Sequence, residues 1–145
     1  MNAIAPTRQS VRRRSLRTSL TAGPAAAAEA RRFVCKAIEG WGLPADPYVA
    51  ALLTSELVTN AIRHERGESV KLLVTCYGGH LRVYVHDTAR VLPELLDAPV
   101  DAEAGRGLML VSRLSTEWGY CRTPEGKVVY FTLAAHTDRD EGGAL

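Results

Sequence analysis

The chain has 145 residues, of which 46% are hydrophobic and 23% are charged, and its net charge is +2. This length and balance predict one globular domain with its own core and exclude a chain that is disordered throughout. No apolar run is long enough for a signal-peptide core or a transmembrane helix, so we expect a cytoplasmic protein with no membrane partner.

The start of the chain is strongly basic. Five arginines precede Glu29, the first acidic residue: Arg8, Arg12, Arg13, Arg14 and Arg17. We predict that residues 1–14 form a disordered basic leader, which is either simply solvated or an arm that meets an acidic partner. Arginines without interleaved aromatic residues or a helix-turn-helix pattern attract nucleic acid only nonspecifically, so we do not expect direct nucleic-acid binding.

The three cysteines, Cys35, Cys76 and Cys121, are odd in number and widely spaced. This pattern fits neither disulfide bonds nor zinc ligands, and we interpret all three as reduced, buried side chains.

Hydrophobic periodicity and turn residues predict eight elements in the order β-α-α-β-β-α-β-β. Phe33, Val34 and Ile38 have helical spacing in the first helix, and Asp46 before Pro47 is a typical start for the second. The predicted elements are, in chain order, strand 15–21, helices 25–40 and 47–63, strands 69–77 and 81–87, helix 107–114, and strands 117–122 and 128–133.

Hairpins join the strands in pairs. Gly78 and Gly79 indicate a tight turn between the second and third strands, and residues 124–126 indicate another before the last. Hairpin pairs, with helices that need a sheet to cover, predict an α+β fold, a two-layer α/β sandwich, over residues 15–135. Residues 136–145 are expected to form a flexible tail.

The segment SELVTNAIRH, in the second predicted helix, carries a polar row made of Glu56, Asn60 and His64. Their four-residue spacing places the three side chains along one helix face. An apolar stripe runs beside this row and is expected to face the core: Leu53, Leu57 and Ala61. Such a row is either an ordinary helix margin or the wall of a site, and His64 is either part of that wall or a helix-terminal cap.

The residue types of this row suit phosphate chemistry. An amide oxygen such as that of Asn60 is a hard ligand for Mg²⁺. A carboxylate one turn earlier, Glu56, suits a general base toward water or a hydroxyl group. Asp87, at the end of a strand, is either a turn residue or an acceptor for the exocyclic amine of adenine.

A glycine-rich segment would complete a nucleotide site if it lies near the polar row. Gly105, Arg106 and Gly107 precede the third predicted helix, which continues with Leu108. The free N–H groups and the positive dipole end of a helix start favour phosphate, glycines allow its close approach, and Arg106 adds a cation.

Four segments occur in an order typical of one superfamily: SELVTNAIRHERGES, LRVYVHDTA, GRGLMLV, and WGY followed by GKVVYFTL. Over residues 15–133 the chain resembles the GHKL, or histidine-kinase-like, ATPases. Within them it is most similar to the anti-sigma-factor serine/threonine kinases and small actinobacterial ATP-binding regulators. The resemblance implies a Bergerat-type fold, a mixed, mainly antiparallel sheet covered by helices, with ATP and Mg²⁺ as cofactors.

By this resemblance, Glu56 matches the catalytic glutamate and Asn60 matches the asparagine that binds Mg²⁺. Asp87 matches the aspartate that contacts adenine. Gly105 and Gly107 match glycines of a lid over the phosphates, whose flexible part would be residues 88–104.

Two positions of the implied nucleotide site depart from the family pattern. Ala89 stands where a glycine is usual, and Val128 stands where a threonine usually contacts adenine through its hydroxyl group. Losing one such contact costs about 0.5–1.5 kcal/mol, so we expect the ATP affinity to fall by about tenfold at most. Arg106 and Leu108 complete the expected nucleotide-binding residues.

The resemblance implies a serine/threonine protein kinase of the anti-sigma type, with weak ATPase activity, that phosphorylates or sequesters a transcription-regulatory partner. The expected partners are a sigma factor, an anti-sigma-factor antagonist, or both. Kinases of this type commonly form dimers, so a homodimer is a further expectation. Ala89 and Val128 favour an alternative, a degenerate nucleotide-binding or protein-interaction module that regulates transcription without turnover.

Overall fold

The structure is a computed structural model that describes residues 13–64, 69–88 and 103–134. Several sequence predictions lie outside these residues: the leader up to residue 12, the connector 65–68, Ala89 with residues 90–102 of the expected lid, and the tail from residue 135. The side chains of His64 and of residues 103–106 also lie outside the description.

The described residues form five strands and three helices in the predicted order. They are β1 (Arg14–Thr21), α1 (Ala26–Trp41), α2 (Pro47–His64), β2 (Ser69–Tyr77), β3 (His80–Asp87), α3 (Glu103–Leu114), β4 (Glu117–Arg122) and β5 (Lys127–Leu133). At the start of α2, the backbone N–H of Tyr48 donates to Asp46 Oδ1 at 2.9 Å, the helix cap that the sequence predicts. None of the three helices in this described part is long and apolar enough to cross a bilayer.

Helix α3 begins at Glu103, whereas the sequence predicted a start at residue 107. Glutamate and alanine at positions 103 and 104 are good helix formers. The buried side chains of Leu108 and Val111 hold the helix in place, which offsets the cost of about 1 kcal/mol for a glycine inside a helix. The prediction of a glycine-initiated helix is therefore wrong, and the free N–H groups lie in the turn that begins at Glu103.

The strands form one sheet in the order β1-β2-β3-β5-β4. The predicted α+β sandwich is confirmed, and β1 is an edge strand as expected. All four described pairings are antiparallel, whereas the resemblance implied a partly mixed sheet. Gly78 and Gly79 form the tight β2–β3 turn. Their φ angles of +60° and +85° are values that residues with a side chain rarely adopt.

The helices cover one face of this sheet, the inner face, and leave the outer face uncovered by any described element. Helix α1 lies over β1 and β2, α2 lies over β2, β3 and β5, and α3 contacts α2 and β4. The predicted apolar stripe of α2 is buried, since Leu53, Leu57 and Ala61 are each at most 2% exposed. Alternate residues of the central strands meet it, including Val83 and Phe131 at 0%.

The cysteines are free thiols, as the sequence indicated. Cys76 is buried, Cys35 is half-buried and Cys121 is exposed. The prediction of burial is wrong for Cys121, because this residue lies on the edge strand β4 opposite Val128, on the outer face.

We expect Leu57→Ala to lower the free energy of unfolding by about 2–5 kcal/mol, because it leaves a cavity beneath α2, where Leu57 is 1% exposed. Urea unfolding measures the change. The matched control is Leu16→Ala on β1, where the leucine is 44% exposed and the expected change is within about 0.5 kcal/mol. Equal, small losses for both variants would contradict the packing of α2 on the sheet.

Candidate functional site

Glu56 and Asn60 lie beside the apolar stripe of α2. Glu56 is half-buried, and Asn60 is only 7% exposed. No hydrogen bond within the described residues uses the Asn60 side chain, although buried polar groups usually have a partner. Its carboxamide oxygen therefore remains available as a ligand.

Glu56 lies directly against the glycine segment of α3. A Cβ atom built on Gly107 would come 2.5 Å from Glu56 Oε1. Any side chain at position 107 would displace the carboxylate, so glycine here serves close helix packing. The structure thus brings Glu56 and Gly107 together, as the nucleotide-site hypothesis requires.

Burial raises the pKa of the Glu56 carboxyl group above its ordinary value of 4.5, and the nearby positive charge of Arg63 opposes this effect. A carboxylate with a raised pKa is a stronger base than an ordinary surface glutamate. The local environment of Glu56 therefore favours proton transfer.

Asp87 forms a buried ion pair that the sequence analysis missed. It ends β3 on the inner face, directly opposite Lys127 at the start of β5. Lys127 Nζ donates to Asp87 Oδ1 at 2.9 Å, and the two side chains are 1% and 0% exposed. We call these two residues the buried ion pair.

Gly126 allows the backbones at this point to approach closely. A Cβ atom on Gly126 would overlap the carbonyl oxygen of Asp87 and the Cα atom of Thr88. The start of β5 thus lies in close backbone contact with the end of β3. In the antiparallel register of these strands, Lys127 is the direct partner of Asp87.

Val128 lies on the outer face of the sheet. Successive residues of a strand point to opposite faces, so Lys127 and Val129 are buried on the inner face while Val128 lies opposite His86 on the outer face. Val128 therefore does not share a pocket with Asp87. The expected loss of affinity through a missing hydroxyl group at position 128 stays a prediction.

The signal for Lys127 was present in the sequence. In GKVVYFTL, Lys127 alternates with Val129, Phe131 and Leu133, which predicts a lysine on the buried face of a strand. A lysine is almost never fully buried without a partner.

The remaining predicted residues are placed as follows. Leu108 is 2% exposed and packs in the core. Gly105 and Arg106 lie in the first turn of α3. Ala89 lies outside the described residues.

Two cavities, of about 590 and 420 Å³, open on the outer face of the sheet. Arg82 and Tyr84 line the larger one, and Lys71 and His86 line the smaller. Because they are on the opposite side of the sheet from the buried ion pair, we do not assign them to the site formed by α2, α3 and β3.

The donor set suits a magnesium ion bound together with phosphate. The described residues contain no cluster of three or more histidine, cysteine, aspartate or glutamate side chains. Mg²⁺ commonly binds one or two protein oxygen atoms and takes its other ligands from phosphates and water. The carboxamide oxygen of Asn60 fits this requirement, and Glu56, one helical turn earlier, remains for proton transfer.

We expect Lys127→Met to lower the free energy of unfolding by about 3–5 kcal/mol, because it removes the cation that balances a buried carboxylate. The double variant Asp87→Asn/Lys127→Met should lose less than the sum of the single variants. Urea unfolding measures all three, with the exposed Lys71→Met as the control. Additive effects of the two substitutions would contradict a coupled ion pair.

The raised pKa of Glu56 predicts a pH dependence. Protonation of Glu56 favours the folded state below pH 4.5, and this contribution is lost as the pH rises through the raised value. The stability of Glu56→Gln relative to wild type should therefore increase between about pH 4 and about pH 7. Unfolding curves across that range give the measurement.

Arg63→Met should raise the pKa of Glu56 further, since it removes the opposing charge. NMR titration of the Glu56 carboxyl carbon detects this shift, and the exposed Arg32→Met on α1 is the control. A lower pKa in the Arg63 variant would contradict the electrostatic description.

Comparison with known proteins bears directly on this geometry. A family model described as "Histidine kinase-like ATPase domain" matches residues 20–133. Among solved structures, the chain is similar to the crystal structure of the RsbU and RsbW domains of Rv1364c from Mycobacterium tuberculosis, with a TM-score of 0.63 and 20% identity over 83% of this chain. It spans only 32% of that longer chain, and at this identity the likeness shows the fold.

No curated protein matches the chain. The family model nevertheless covers all three helices and the strands β2 to β5, including every site residue that the structure describes. This protein belongs to the histidine kinase-like ATPase domain family.

Proposed function

We propose that this protein binds Mg-ATP between α2, α3 and the end of β3, and acts as a regulatory serine/threonine protein kinase on a transcription-regulatory partner. The observation that carries the proposal is the contact of Glu56 with Gly107. It joins a half-buried carboxylate to the helix that would hold phosphate, within a chain of the ATPase family.

Glu56 would act as the general base. Its raised pKa suits proton removal from a serine or threonine hydroxyl group as that oxygen attacks the γ-phosphate. The carboxyl group takes up the proton, the bond between the γ-phosphorus and the bridging oxygen breaks, the phosphoryl group passes to the partner hydroxyl oxygen, and ADP leaves. Attack by water in place of the hydroxyl group would give the weak ATPase activity.

Asn60 would hold the magnesium ion through its carboxamide oxygen, which the burial of this residue keeps in position. When bound, Mg²⁺ neutralises phosphate charge. The N–H groups of the first turn of α3, which contains Gly105 and Arg106, would donate to phosphate oxygens. Asp87 would accept a hydrogen bond from the amine of adenine.

The proposed partner is a protein that regulates transcription. The resemblance to anti-sigma-factor kinases suggests a sigma factor, an antagonist protein, or both, with a homodimer as the assembly. Both halves of the regulatory activity, phosphorylation and sequestration, would require such a partner.

One observation favours a second candidate function, an interaction module without turnover. The carboxylate of Asp87 accepts a hydrogen bond from Lys127 Nζ at 2.9 Å. If this contact excludes adenine, the domain would regulate its partner by binding alone.

We expect calorimetric titration to show saturable binding of Mg-ATP to the wild type. Asn60→Ala should weaken it by about tenfold or more, equivalent to about 1.4 kcal/mol, because the proposed magnesium ligand is lost. Thr59→Ala is the matched control, since Thr59 is the exposed neighbour of Asn60 on α2.

The same preparations separate the two functions. Glu56→Gln should retain ATP binding and lose phosphate transfer to a candidate antagonist, whereas the exposed Glu39→Gln should retain both. Binding of ATP without any turnover by the wild type would contradict the kinase and leave a nucleotide-binding module. No binding at millimolar nucleotide would overturn the nucleotide site and favour the interaction module.

A further inference from the structure

We infer that the outer face of the sheet binds an acidic segment of a partner protein. The segment is extended and has an aspartate or glutamate at every second position. This inference goes beyond the proposed function, because the outer face lies on the opposite side of the sheet from α2 and α3 and its binding requires no nucleotide.

The outer face is positively charged. Among the described strand residues it carries four permanent cations and one carboxylate: Arg13, Arg17, Lys71 and Arg82, with Glu117. Protein surfaces usually mix charges of both signs. Helix α1 shows such a mixture along its exposed side: Glu29, Arg31, Arg32, Lys36 and Glu39. A sheet face dominated by one sign indicates a negatively charged partner.

The four cations lie in successive cross-strand rows. In the register of the sheet, Lys71, Arg17 and Arg82 occupy three neighbouring outer-face rows. Arg13 follows in a fourth row, where its guanidinium carbon lies 4.9 Å from the centroid of the Tyr77 ring. Neighbouring outer-face rows are two residues apart along a strand, which is about 7 Å. An extended peptide along the strands repeats its own face at the same interval, so alternate acidic residues match the rows.

The two outer-face cavities bring these cations into one concave surface. Arg13 and Arg82 line the cavity of about 590 Å³, and Arg17 and Lys71 line the cavity of about 420 Å³. Both cavities share Tyr84 as a lining residue. A single segment that passes over Tyr84 therefore meets all four cations.

Arg82 is held in place before any partner binds. Its Nε donates to Thr132 Oγ1 at 2.6 Å, and its Nη2 donates to Glu117 Oε1 at 2.9 Å. A side chain that is already ordered loses less conformational entropy on binding. A guanidinium group has five N–H donors, so donors remain for a carboxylate of the partner.

The aromatic residues of this face favour a protein segment over single-stranded nucleic acid. Bases bind such surfaces by stacking on open aromatic rings. An arginine lies over each of the three outer-face tyrosines: Arg13 over Tyr77, and Arg82 over Tyr84 and Tyr130. The guanidinium groups thus occupy ring faces that a base would need.

The charge of this face also disfavours a second copy of the chain. A two-fold symmetric interface sets the same patch of both copies against itself. It would bring the four cations of one copy against those of the other, and like charges across an interface are unfavourable. An acidic segment supplies the opposite charge instead.

The first test is fluorescence anisotropy of labelled peptides with wild-type protein and no nucleotide. One peptide has four glutamates that alternate with serines, a second has the same composition with its glutamates in one block, and a third has glutamine for glutamate. We expect saturable binding of the alternating peptide. The block peptide should bind about threefold more weakly, because only alternate residues of an extended chain face the sheet, and the glutamine peptide at least about tenfold more weakly.

Equal binding of the alternating and block peptides would overturn the match between acidic residues and rows. Absence of binding by the alternating peptide, or equal binding of the glutamine peptide, would overturn the inference as a whole. None of these measurements uses nucleotide, so a failure here leaves the proposed function untouched.

Substitution locates the binding surface. Arg17→Gln/Lys71→Gln should bind the alternating peptide about tenfold more weakly, at about threefold for each lost cation. The matched control is Arg32→Gln/Lys36→Gln on α1, which removes the same charge from exposed positions and should bind like the wild type. Equal losses in both variants would mean that net charge alone attracts the peptide, which would overturn the inference.

Two other occupants are tested with the same proteins. A single-stranded oligothymidylate with four phosphates should bind more weakly than the alternating peptide; equal or tighter binding would make this face a nucleic-acid site. Sedimentation equilibrium should give the wild type and Arg17→Gln/Lys71→Gln the same oligomeric state. A wild-type dimer that dissociates in this variant would mean that a second copy covers the face. Either result would overturn the inference.

Discussion

Helix α2 is the element on which the rest of the structure depends, because it is packed on three sides. Its apolar stripe, with Leu57 at 1% exposure, lies on the sheet. Helix α1 packs along one flank and α3 along the other. Glu56 is therefore held where the α2 and α3 surfaces meet, and it reaches Gly107 without a loop to position it. Sites on rigid elements hold their geometry more closely than sites on loops.

The second constraint is the close contact between the end of β3 and the start of β5. Gly126 permits it, and the antiparallel register then places Lys127 opposite Asp87 on the buried face. Each charge of this pair stabilises the other. Removing either side chain would leave the other charge buried and without its counter-ion.

The secondary structure was largely predictable because each element has a strong local signal. Strict alternation located β2 and β3, and the glycine pair located their turn. The sequence prediction misplaced the start of α3, because glycines usually indicate a helix boundary. In the structure, the packing of Leu108 and Val111 outweighs this local preference. The exposure of Cys121 was missed because an edge strand and a central strand look alike in sequence.

The sequence by itself determined the order of elements, the buried stripe of α2, and the resemblance that named Glu56, Asn60 and Asp87. These features depend on local periodicity and on motif order, both of which can be read from the linear sequence. Only the tertiary structure decided that Lys127, and not Val128, is the β5 residue beside Asp87, and that Glu56 touches Gly107. Both are contacts between residues about 40 to 50 positions apart, and they arise from strand register and helix packing, which no local pattern specifies.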